Sequence, residues 1–560
     1  MFLYISNFFT PTNNLFKLFF LFLFLFFLGR SLNIIINSIT RTTKSSDNKK
    51  LFYADVKIFY PIMGLLLLGN VLFILNFFIP LKQDIVFLVI VFLLFINFKE
   101  KIEFNNFHEN IYYLSSFVYL LILFVSVTDI SFHYDAGYYH LNNQAWLHES
   151  NMIMGFTNVF WPFGISSIYE YISAFFWFDK SFISLHIINV IFIWSFYTYV
   201  FFQVIFKTPL IFSSIFLILF SFFDNFGFNG GRNGFFYVQG IGALDLAVGV
   251  LFSIVALNLI MAIKDSKYEI NEIIFFFLFS LFIFQLKVSG AIIIFLLTPY
   301  LFFIIRDKFI SLASLIKINL LPFALFIFWL IKTILISGCI IFPVSLSCIN
   351  SFEWYEKGST QVFENVTRAS SYSYNLGESF HIWFNNLLSD SLRETVLINF
   401  FGSLFFLYIL KNIFFLQKRV NNRIKNTKNL FILISLLFFI LSGPIPRYLI
   451  GLILFIVAVQ AIDITSFKYE INILIRVVSL VFMSSVILFS RISSYQNIEN
   501  YLNKTIHLPE IEYVSTENEW VEPKEGDQCW VNTKCTMEKI STVLEDKNFF
   551  TVASKKHKEE

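Results

Sequence analysis

The chain has 560 residues, of which 57% are hydrophobic and only 14% charged, with 79 Phe and a mean hydropathy of +0.70. Charged residues ordinarily make up about a quarter of a soluble domain, so this composition excludes a soluble multidomain enzyme and indicates a polytopic membrane protein. A net charge of +3 without a long basic block excludes a nucleic-acid binder, and the same arithmetic excludes a disordered chain, a coiled coil and a disulfide miniprotein.

Apolar runs long enough to cross about 30 Å of hydrocarbon recur along the chain, and because they are unbroken rather than alternating they are expected to be helices. They lie at 15–37, 58–80, 83–98, 110–128, 182–206, 208–223, 241–263, 272–286, 290–305, 318–341, 395–416, 429–443, 448–465 and 471–490, about fourteen crossings. The first run is too long for the core of a cleavable signal peptide and no small-residue cleavage site follows it. The expected fold is an all-α transmembrane bundle. It divides into N-terminal helices (1–109), a core (110–490) and a tail (491–560).

Basic residues mark cytoplasmic loops. Arg41 to Lys50, Lys99 with Lys101, Lys264 with Lys267, Arg306 with Lys308, and Lys418 to Lys428 fall on that side. No Lys or Arg occurs between Lys101 and Lys180, which puts the polar centre of that run outside. Residues 163–178 must then lie along the outer surface, as an interfacial helix with Glu170 on its polar side. The same parity places the loops 129–181, 224–240 and 342–394 and the tail outside.

All four cysteines fall on the outer side, as Cys339 with Cys348 and as Cys529 with Cys535 in CWVNTKC. Two local pairs in an oxidising compartment read as disulfides, although four cysteines allow three connectivities. Zinc at the tail pair is disfavoured because no His or further Cys is near.

The richest polar stretch, residues 128–167, carries His133, His140 and His148 with the acids Asp129, Asp135 and Glu149 and no basic residue. Ionisable groups beside a bilayer are candidates for function. Asp135 is the leading one, with Tyr139 and His140 one turn later. A plain helix cap by Asp135 explains the same residues equally well.

HYDAGYYH at 133–140, GFTNVFWPFGISS at 155–167, GALDL at 242–246, QLKVSG at 285–290, SGCIIFP at 337–343 with Trp354 beyond it, GPIPRY at 443–448 and QCWVNTKCT at 528–536 together resemble a group of bacterial multispanning proteins found among surface-polysaccharide genes. That group in turn resembles the GT-C glycosyltransferases. The resemblance implies an inner-membrane enzyme with its site facing the periplasm, transferring sugar from a polyprenyl-phosphate donor to a surface glycan or lipid-linked acceptor, with an acidic catalytic residue in the first large outer loop. The chain departs from the best-known members in lacking an adjacent acid pair, since Asp129 and Asp135 are six apart.

Such chemistry needs a carboxylate to take the acceptor proton and cations for the leaving phosphate. Asp135 is assigned as the base, and inversion is expected. His133, Tyr139, His140, Asp245, Lys287, Arg447 and Trp354 are the candidate substrate-binding residues; Arg232 and Arg368 are weaker cations. Asp245, just inside a span, either pairs with Arg232, lines the acceptor side or serves its helix dipole. The one cofactor the pattern leaves room for is a divalent Mg or Mn ion near His133, Asp135 and His140. A transporter or flippase of a lipid-linked sugar, or a polysaccharide polymerase, are the rival readings.

Overall fold

A computed structural model describes residues 12–40, 50–99, 112, 113, 116, 117, 120, 121, 132–177, 182–226, 241, 242, 244–368, 374, 378–389, 391–418, 421–442, 446–467, 507–516, 520–536, 542–547 and 550–555. Among these residues, seven helices are long and apolar enough to span a membrane: Asn14–Thr40, Val56–Leu75, Ile183–Ile205, Asp245–Asp265, Val288–Arg306, Leu320–Ser337 and Asn422–Leu441. Four shorter apolar helices, Ile211–Ser221, Ile270–Leu286, Phe400–Phe414 and Ile450–Val459, coincide with further expected crossings. The protein is a mostly helical, multi-pass membrane protein. Of the other expected crossings, 471–490 lies outside the described residues and 110–128 mostly so, while the run at 83–98 forms the 12-residue helix Asp84–Phe95. That helix continues as the 3-10 turn Ile96–Lys99, so the element covers the expected run.

One cluster of buried apolar side chains runs from Leu18 to Ala553 and joins the N-terminal helices, the central bundle and the tail. Phenylalanine supplies much of it through edge and offset contacts, as between Phe22 and Trp194 at 4.7 Å or Phe73 and Tyr171 at 5.0 Å. A buried cation inside this apolar mass must be compensated. Lys332 is: its Nζ donates to the Phe73 carbonyl and to Asn76 Oδ1, both at 3.0 Å, and lies over the rings of Phe73, Phe77 and Tyr171.

The polar segments gather at the two ends of the bundle, as the charge pattern requires. At one end Tyr53 binds Asp265, Lys264 binds the Ile462 carbonyl, and Arg423 and Tyr268 share Asp307. At the other, the Met152 amide binds the Asn76 carbonyl, Gly155 binds Leu335, Ser167 binds Leu286 and Tyr374 binds Ile440. Every segment read as cytoplasmic among these falls in the first group, and every segment read as external falls in the second.

The tail packs onto the outer loop. Strands Thr542–Lys547 and Phe550–Lys555 pair antiparallel, and the second adds in parallel to Ile153–Met154. Both local disulfides are present, Cys339–Cys348 and Cys529–Cys535. The helix Ile168–Phe175 departs from expectation: every one of its residues is buried, Glu170 included. It is enclosed by the helices Tyr60–Leu75 and Ile270–Leu286 and by the outer loop rather than presenting a face to water.

The arrangement of the ends predicts that single cysteines introduced at Tyr134, Leu346 and Glu525 react with a membrane-impermeant maleimide from one side, and one at Arg423 only from the other. Labelling of the Arg423 position together with the Tyr134 position in sealed, same-sided vesicles would contradict it.

Candidate functional site

The site begins with an acid that has no room for water. Glu170 stands in the first turn of Ile168–Phe175, whose N-cap Ser167 accepts from the Tyr169 amide and donates to the Leu286 carbonyl. A carboxylate there is favoured by the helix dipole, but its side chain is only 4% exposed, so its oxygens need donors. His140 Nδ1 meets Oε1 at 2.5 Å and Gln144 Nε2 donates to Oε2 at 2.7 Å, while Gln144 Oε1 accepts from Trp177 Nε1 at 2.8 Å. His140 and Gln144 reach the same carboxylate because residues four apart share a helix face.

His140 ends a five-residue π-helical turn, Ala136–His140, which continues as the helix Leu141–Glu149. The imidazole lies against Gly242. A Cβ there would come within 2.0 Å of Cδ2 and Nε2, and the backbone sits at φ +82°, so both space and conformation demand glycine at the start of GALDL.

Asp135 opens the π turn, but its carboxylate makes no capping hydrogen bond. The side chain is 38% exposed and, among the described residues, pairs with His133 Nδ1 at 3.5 Å, which also accepts from the Asp135 amide at 3.3 Å. Tyr139, its ring 3.9 Å from that of His140, connects the two sides of the site. Burial, then the charges of Asp135, Glu170 and Asp245, push its hydroxyl well above the ordinary phenol range. It stays protonated, a fixed donor among acids.

Asp245, at the head of the helix Asp245–Asp265, forms an ion pair with Lys287, and the Lys287 Nζ also lies 3.8 Å from the centre of the Tyr448 ring. Lys287 is held in extended backbone between Ile270–Leu286 and the 3-10 turn Val288–Ile293. Next to this pair is a small cleft lined by Asp245, Lys287 and Tyr448 together with the apolar side chains of Val248, Phe439 and Leu452.

A family model described as a domain of unknown function, DUF8201, matches residues 12–454. The chain belongs to the DUF8201 family. No curated protein matches the sequence. Among solved structures, the arabinosyltransferase EmbB from Mycobacterium smegmatis is similar at 11% identity with a TM-score of 0.36, over 73% of this chain and 34% of EmbB. This DUF8201 chain therefore spans about a third of the length of that protein.

Of the residues the sequence singles out, the structure gathers His133, Asp135, Tyr139, His140, Asp245 and Lys287 at one end of the bundle. Arg447 belongs to the turn Pro446–Leu449 beside Tyr448, but its side chain is outside the described residues, as is all of Arg232. Trp354 lies at the same end but turns to other partners, its Nε1 donating to the Ile334 carbonyl at 3.2 Å and its ring stacked on Phe352. Arg368 pairs with Glu364 on its own helix. Among the described residues no three His, Cys, Asp or Glu side chains converge as a metal site would require, and Asp129 lies outside them. His133, Asp135 and His140 thus do not fit a Mg or Mn ion. Sequence reasoning missed two residues: Glu170, which it placed on a wet face, and Tyr448, whose signal was its place next to Arg447 in GPIPRY.

His148, on the same helix as Gln144, donates from Nε2 to the Ala174 carbonyl. Burial pushes its imidazole from 6.5 down to about 4, so the fold accepts only the neutral ring. The unfolded ring takes a proton near 6.5, so stability from this group is complete above that pH and is lost as pH falls toward 4, at most about 3 kcal/mol. His148→Gln, which keeps an N–H donor and does not titrate, is expected to flatten the fall in thermal midpoint over that window in detergent-solubilised protein; superimposed profiles would contradict it.

Proposed function

We propose that the protein is a GT-C-like membrane glycosyltransferase of a bacterial inner membrane, with its site facing the periplasm. Its donor is a polyprenyl-phosphate sugar and its acceptor a surface glycan or lipid-linked sugar. The observation that carries the reading is the cleft beside Lys287: charged side chains next to apolar ones suit a phosphate joined to an isoprenoid chain, and the half-exposed Asp135 carboxylate stands one turn before Tyr139 at the same end of the bundle.

In this reading Asp135 takes the proton of the acceptor hydroxyl as that oxygen bonds the anomeric carbon. The bond from the carbon to the phosphate oxygen breaks, and the lipid phosphate leaves with its electron pair. Lys287 stabilises the departing charge, with the protonated Tyr139 hydroxyl as a further donor. Attack opposite the leaving group inverts the anomeric centre, and no second carboxylate is needed as nucleophile. His140, fixed by Glu170, holds the π turn and Tyr139 in register with Gly242 and the head of the Asp245 helix.

Asp135→Asn keeps size and polarity but cannot accept the proton, so kcat is expected to fall roughly 10²-fold to 10⁴-fold with the fold intact. Lys287→Ala is expected to raise KM for the donor. Sugar transfer from a synthetic polyprenyl-phosphate donor by purified protein measures both. Equal product from wild type and Asp135→Asn removes Asp135 as base; movement of a lipid-linked sugar across the bilayer without a new glycosidic bond supports the transporter instead.

A further inference from the structure

The Asp135 side chain takes no part in fixing its own turn, so its direction must be set by something else. The backbone carbonyls of Tyr134 and Gly137, on either side of Asp135, accept hydrogen bonds from outside the turn. Two residues from the far end of the chain supply them. Gln528 Nε2 donates to the Tyr134 carbonyl and the Trp530 amide to the Gly137 carbonyl, each at 2.9 Å. The Tyr134 hydroxyl in turn donates to the Asp527 carboxylate.

Side-chain packing repeats the pattern. The Trp530 ring covers Gly137 so closely that a Cβ there would come within 2.6 Å of it, and it meets Phe132 edge-on at 5.4 Å. Trp530 also adopts φ +51°, a left-handed conformation an aromatic residue rarely takes. The loop that imposes it is closed by Cys529–Cys535 and braced by Tyr513, whose hydroxyl donates to the Cys529 carbonyl at 3.1 Å. Its remaining anchors fall on the same outer segment: Asn142 Nδ2 donates to the Asn532 carbonyl at 2.6 Å, Thr533 Oγ1 to Glu149 Oε2 at 2.9 Å, and Thr536 Oγ1 to the Val159 carbonyl at 3.0 Å.

We infer that the disulfide-closed loop Asp527–Thr536 is the positioning element of the Asp135 turn, with Trp530 its central positioning residue. The loop holds the backbone on both sides of the acid and leaves the carboxylate free to meet an acceptor hydroxyl. A misplacement of about 1 Å in a reacting group costs on the order of a hundredfold in rate, so losing the clamp acts on kcat, while the donor cleft beside Lys287 keeps its own walls. The inference rests on Asp135 as the base only for its effect on rate; the clamp itself is open to a separate measurement.

That measurement is amide exchange on the full-length protein in nanodiscs, paired with donor kinetics. In Cys529→Ser/Cys535→Ser and in Trp530→Ala, amides of residues 134–141 are expected to exchange at least about tenfold faster, because the clamp no longer restrains local opening. In the same proteins kcat is expected to fall roughly tenfold to a hundredfold with KM for the donor unchanged. Gln528→Ala, which leaves the disulfide intact, gives a milder shift in the same direction and covers the case in which the double variant does not fold. Cys339→Ser/Cys348→Ser removes the other disulfide and leaves exchange at 134–141 as in wild type. Unchanged exchange at 134–141 in the tail variants overturns the inference, whatever happens to transfer. Faster exchange in a protein whose wild type transfers no sugar from any donor sustains the clamp and removes the glycosyltransferase reading instead.

Discussion

A carboxylate buried at one end of an apolar bundle organises the site. An ionised acid away from water is tolerated only when donors replace its hydration, and Glu170 receives them from His140 and Gln144. Those two bonds require the helix Leu141–Glu149 to lie against Ile168–Phe175 in one register. The His140 ring then fills the space above Gly242, which fixes the head of the helix that carries Asp245. Asp245 pairs with Lys287 on a fourth segment. A sequence of compensations that starts with one desolvated acid thus brings four segments together.

The composition announces a membrane bundle because physics leaves a chain this apolar few other options, and the distribution of Lys and Arg separates its two polar ends. Charge pattern works there because each loop carries its own signal. The candidate acid, Tyr139 and His140 are likewise legible, since they share one short stretch and one helical face. What links them to the rest is not. Asp245 and Lys287 each stand out as charges beside lipid, but their pairing joins different helices, and the sequence pointed to Arg232 as the partner of Asp245. Glu170 sits in a segment whose amphipathic pattern suits a helix at a water interface, and the chain instead covers its polar side with His140 and Gln144. Periodicity reports that a helix has two faces; it does not report what covers the polar one.

Burial also separates the roles of aromatic residues that composition leaves equivalent. Tyr139 is placed among charges, with its hydroxyl kept protonated, whereas Trp354 is spent on a carbonyl and a stacking partner in the 342–394 loop. The abundance of Phe has a plainer meaning. It fills the helix interfaces, and the same rings surround Lys332, whose buried Nζ ties two helices together. Polar chemistry and apolar packing meet at the cleft beside Lys287, where charged side chains stand next to aliphatic and aromatic ones.

A structure of the protein in lipid with a non-transferable polyprenyl-phosphonate sugar tests the central claim most directly. The account predicts phosphonate oxygens within hydrogen-bonding distance of Lys287 Nζ, the isoprenoid along the Val248, Phe439 and Leu452 wall, and the anomeric carbon between that phosphonate and Asp135. A headgroup seated away from Lys287 and Asp135, or bound at the opposite end of the bundle near Arg423, would contradict it.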